Sequence, residues 1–136
     1  MSDINEIQRR VDKKISDALS ALMSNAKWRK LLIEIDGKAF GLKWKFVNSD
    51  EIYTAQVPVL LEKTFGDCLP YPYGPYREIE WLLIPMEYSH PNSDEYRSLA
   101  NTRNDLQFIR NVIDSLGQYP VELSGEGLKI IGYKWQ

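Results

Sequence analysis

The apolar residues of this chain change period along its length, and that change limits the architectures open to it. Near the start, Ile4, Ile7, Val11, Ile15, Leu19 and Leu22 recur every three or four residues, the spacing of one helix face. Asp3 is placed to cap that helix, with Glu6 three residues on as its capping-box partner; Arg9, Arg10, Lys13, Lys14 and Asp17 occupy the opposite side. Further on the period falls to two. Phe40, Leu42, Trp44 and Phe46 alternate with Gly41, Lys43 and Lys45, as a half-buried strand requires. A second such run, over 77–84, sets Ile79, Trp81 and Leu83 on one face and Glu78, Glu80, Leu82 and Ile84 on the other. That other face passes from charged to apolar, so one end of it is expected to be covered. The helical period then returns with Leu99, Leu106, Ile109, Val112, Ile113 and Leu116, stopped by Gly117. Residues 120–123 and 128–135, joined by Ser124-Gly125-Glu126-Gly127, read as a terminal hairpin.

Two stretches are less regular. Ser24-Asn25 offers a new cap, and Trp28, Leu31, Leu32 and Ile35 then fit a short helix ended by Gly37. Asp36-Gly37 is equally a type I′ hairpin signal, with Leu31, Ile33 and Ile35 alternating before it; the helix is the preferred reading. Residues 51–76 form the irregular middle, with a short helix expected over 57–65 after Pro58. Three prolines and three tyrosines fall within 69–76, which predicts an extended or turning loop and neither strand nor helix. Helices and strands cluster without regular alternation. The expectation is one α+β domain over 1–136: a mainly antiparallel sheet of about four strands, two or three helices on one face, and residues 1–24 as a peripheral helix.

A chain of 136 residues with 43% hydrophobic and 26% charged residues can bury a core without a staple, so bulk disorder is not expected. Cys68 is the single cysteine, which excludes an intramolecular disulfide and any cysteine-clustered metal. The polar start and the absence of any apolar run near the roughly 20 residues of a membrane span point to a cytoplasmic protein without membrane contact. The formal charge of −2 divides unevenly: residues 1–48 carry +4 and residues 49–136 carry −6. With a sequence pI near 5.5, nucleic acid is not the expected partner.

The residues of catalysis are sparse. His90, the only histidine, precedes Pro91 in a polar turn and reads as exposed filler. No elbow surrounds any serine, and Cys68 has no neighbouring cation to activate it. No glycine pattern opens a helix as a phosphate cradle would; Gly125-Glu126-Gly127 leads into a strand. Glu78 and Glu80, two apart on the expected strand, project from one face about 7 Å apart. Such a pair can hold a divalent cation with Asp50, Glu51 or Asp67, or divide acid and base roles; a solvated sheet edge is the plainer reading. No cofactor and no metal site is expected.

Aromatic residues carry more information. Eight tyrosines and four tryptophans exceed what so small a core needs, and Tyr, Trp and Arg dominate binding hot spots. Tyr71, Tyr73, Tyr76 and Arg77 crowd the proline-stiffened segment, which would lose little entropy on docking. Trp28 beside Arg29, and Trp44 between Lys43 and Lys45, offer amphipathic contacts, although Trp44 and Trp81 read first as core. The candidate binding set is Tyr71, Tyr73, Tyr76, Arg77, Glu78, Glu80, Trp28 and Arg29.

Three segments resemble a family of small bacterial domains of unknown function over about residues 25–135. They are Lys27-Trp28-Arg29-Lys30-Leu31-Leu32, the run Tyr76-Arg77-Glu78-Ile79-Glu80-Trp81-Leu82, and the ending from Tyr119-Pro120-Val121-Glu122 to Ile131-Gly132-Tyr133. The resemblance implies a bacterial origin and carries no activity or catalytic residue. Some such domains are immunity proteins of toxin systems, an analogy only. The expected function is a non-enzymatic module binding another protein, with a bacterial immunity protein as its finer form. The alternatives are a divalent-metal enzyme using Glu78 and Glu80, or a structural subunit joined through the first helix.

Overall fold

The computed structural model describes residues 4–35, 38, 41–55, 68–70, 73–88 and 102–135. The chain starts with helix α1 (Ile4–Ser16), which is shorter than its apolar stripe. Asp17 N–H donates to the carbonyls of both Lys13 and Lys14, and Ala18 N–H to that of Ile15, so the last turn tightens and stops. Leu19 is then 55% exposed, and strand β1 (Ser20–Ala21) pairs with a strand at the far end of the chain. That long-range pairing has no local signature, which is why the stripe overran the helix. Helix α2 (Asn25–Ile35) follows, and the Ser24 hydroxyl caps it by accepting from Lys27 N–H at 3.1 Å. The helical reading of this stretch holds; Asp3, Gly37 and the expected helix over 57–65 lie outside the described residues.

Strand β2 (Leu42–Phe46) turns into β3 (Ile52–Ala55), a strand that emerges from the stretch read as irregular. β4 (Cys68–Pro70) and β5 (Tyr73–Pro75) pair antiparallel within the proline–tyrosine segment, where no strand was expected. A two-strand ribbon consists only of edges, where a missing proline N–H costs no ladder bond. A 3₁₀ turn (Tyr76–Glu78) leads into β6 (Ile79–Pro85), so the central strand starts two residues later than its alternation suggested. β7 (Glu87–Tyr88) pairs with β8 (Thr102–Arg103). Helix α3 (Leu106–Leu116) is capped by Asp105, whose carboxylate accepts from Phe108 N–H at 3.1 Å, and it stops at Gly117 as expected. β9 (Val121–Ser124) and β10 (Gly127–Ile131) form the terminal hairpin; a bend at Gly132 leads to β11 (Tyr133–Lys134), the partner of β1.

The main sheet has five antiparallel strands in the order β3-β2-β6-β10-β9. With three described helices, the architecture is α+β as anticipated, with one strand more. Register places Trp44, Leu82 and Ile130 in one row and Ile84 beside Leu128 in the next. All are buried, and with Leu42 they form the floor on which Trp28, Leu31, Leu32 and Ile35 of α2 and Ile109 and Ile113 of α3 pack. This face is the core. α1 packs apart from it: Val11 meets Val47 and Tyr133, flanked by Ile15, Ala18 and Trp135.

Candidate functional site

Strand β6 contains the irregularity that shapes the other face of the sheet. Lys45 pairs with Trp81, yet the next residue of β2, Phe46, pairs with Ile79, so Glu80 is an extra residue in the ladder. The bulge lets Ile79 turn into the core, fully buried, while Trp81 keeps to the opposite side. The expected grouping of Ile79 with Trp81 and Leu83 on one face is thereby corrected. Glu78, expected on the strand beside Glu80, sits instead in the 3₁₀ turn.

On this second face the register sets Leu83 between Lys43 and Lys129, and Trp81 between Lys45 and Ile131. Trp81, Leu83 and Pro85 form the floor of an open trough of about 430 Å³, with Lys43 and Lys129 as its walls and Glu87 and Glu126 lining it as well. Lys129 Nζ lies 4.6 Å from the centre of the Trp81 ring. Lys45 does not reach into the trough; its ammonium is held by the Glu80 carboxylate and by the Phe46 carbonyl at 3.3 Å. Ile52, at the rim on β3, is 56% exposed. Among the described residues no helix packs across this face.

A second polar group joins α1 to the domain. Arg77 Nη2 donates to the Asp12 carboxylate at 2.7 Å, and Tyr133 donates its hydroxyl proton to the Arg77 carbonyl. The Arg77 hydrogen bond, helped by one from Gln8, holds the Asp12 carboxyl below its usual value. In turn Asp12 raises Arg77. Burial pushes the Glu78 carboxyl up, against the lowering effect of Arg77. Burial likewise raises the Tyr133 phenol, which keeps its proton for the hydrogen bond it makes.

The sequence-derived candidates scatter. Trp28 and Tyr76 are each 1% exposed and belong to the core, so neither can present a ring to a partner. Arg29 is exposed on α2, away from the trough. Arg77 is engaged by Asp12 and Glu80 by Lys45. Tyr73 lies in β5, and Tyr71, Asp67 and His90 lie outside the described residues. Asp50 and Glu51 are exposed beyond β2. Among the described residues no three His, Cys, Asp or Glu side chains converge as a metal site would need. No described helix is long and apolar enough to cross a membrane.

The residues that do converge, Lys43, Trp81, Leu83 and Lys129, were not among the candidates. Their signal was present as alternation: Lys43 and Lys45 around Trp44, and Lys129 between Leu128 and Ile130. What was lacking was the pairing that sets these lysines beside Trp81. No family model matches the chain, and no curated protein or solved structure shows significant similarity to it.

Proposed function

We propose that this chain is a non-enzymatic module that binds another protein on the second face of its sheet. The observation that carries this reading is the trough itself: a half-buried tryptophan beside a buried leucine, ringed by lysines and glutamates, on a sheet whose other face is filled by α2 and α3. Binding hot spots have this anatomy, an aromatic anchor in an apolar seat with a polar rim that sheds water on contact. Of the two carboxylates that acid–base chemistry would draw on, Glu80 is held by Lys45 and Glu78 sits apart from the strand in the 3₁₀ turn. The immunity-protein form of the reading rests on the acidic balance of residues 49–136 and on the resemblance.

The test is affinity capture from the native host with wild type, Trp81→Ala and Tyr73→Ala, each checked for fold by thermal melting. One stoichiometric protein held by wild type and Tyr73→Ala but lost by Trp81→Ala is the expected result. Equal retention by all three moves the docking surface away from the sheet, and capture of nothing by wild type removes the reading.

A further inference from the structure

We draw no further inference here: the strongest candidate, the open edge of the sheet at β9 with Leu123 exposed beside α3, carries no proposal because nothing in the structure shows what covers it.

Discussion

Around Arg77 two carboxyls respond to pH in opposite senses. Burial holds Glu78 above its ordinary value, so ionising it costs more in the fold than in the unfolded chain. Its favourable contribution is complete below the ordinary carboxylate range and is lost as pH rises through the raised value. Glu78→Gln is therefore expected to melt above wild type at pH 7, with the gap closing as the melts are repeated toward acid. Asp12 is held low by Arg77, so its contribution exists above the ordinary range and disappears as pH falls through the lowered value. Asp12→Asn should melt slightly below wild type at neutral pH and converge with it in acid. The loss is small because both partners are largely exposed, at 42% and 53%.

Strand β10 depends on close backbone approach at both ends. A Cβ on Gly127 would strike the Ile84 carbonyl oxygen, and the residue holds φ near +144°, which side chains rarely adopt. A Cβ on Gly132 would strike the Ile79 carbonyl oxygen, where the chain bends from β10 into β11. Gly125, in the turn from β9 to β10, has nothing within 4 Å of the same position. In urea titrations Gly127→Ala and Gly132→Ala are expected to lose more than about 1 kcal/mol each. Gly125→Ala is expected to stay within about 0.5 kcal/mol of wild type. The helix ends, by contrast, rest on local chemistry: Ser24 before α2, Asp105 before α3 and Gly117 after it.

The whole molecule holds α1 differently from α2 and α3. The main core joins both of those helices to the sheet, whereas α1 rests on Val11, Val47 and Tyr133 and the Arg77–Asp12 pair. Ile130→Ala, which empties a fully buried site in the central floor, is expected to cost about 2–5 kcal/mol and to lower the melting of the entire domain. Val11→Ala is expected to act locally. Hydrogen exchange should show α1 amides released while α2 and α3 keep their protection. Equal loss of protection in all three helices would show that α1 belongs to the same cooperative unit.

The helices α2 and α3, the strand β2 and the terminal hairpin were legible because each is specified by its own neighbours: an apolar period, a cap, a glycine stop. The sequence by itself thus determined the α+β class, the apolar stripes of α2 and α3 and the inward face of β2. Only the tertiary structure decided which side chains stand together on the second face of the sheet. Leu83 gains its lysines from strands far away in sequence, Lys129 on one side and Lys43 on the other, through a register no local pattern encodes. The bulge at Glu80 then reverses which side of the sheet Ile79 faces, while Trp81 and Leu83 keep the face that alternation gave them. Tyr76 and Trp28 looked like anchors because aromatic residues suit cores and interfaces equally, and packing placed both of them inside. Period is a property of the chain; adjacency across strands is a property of the fold.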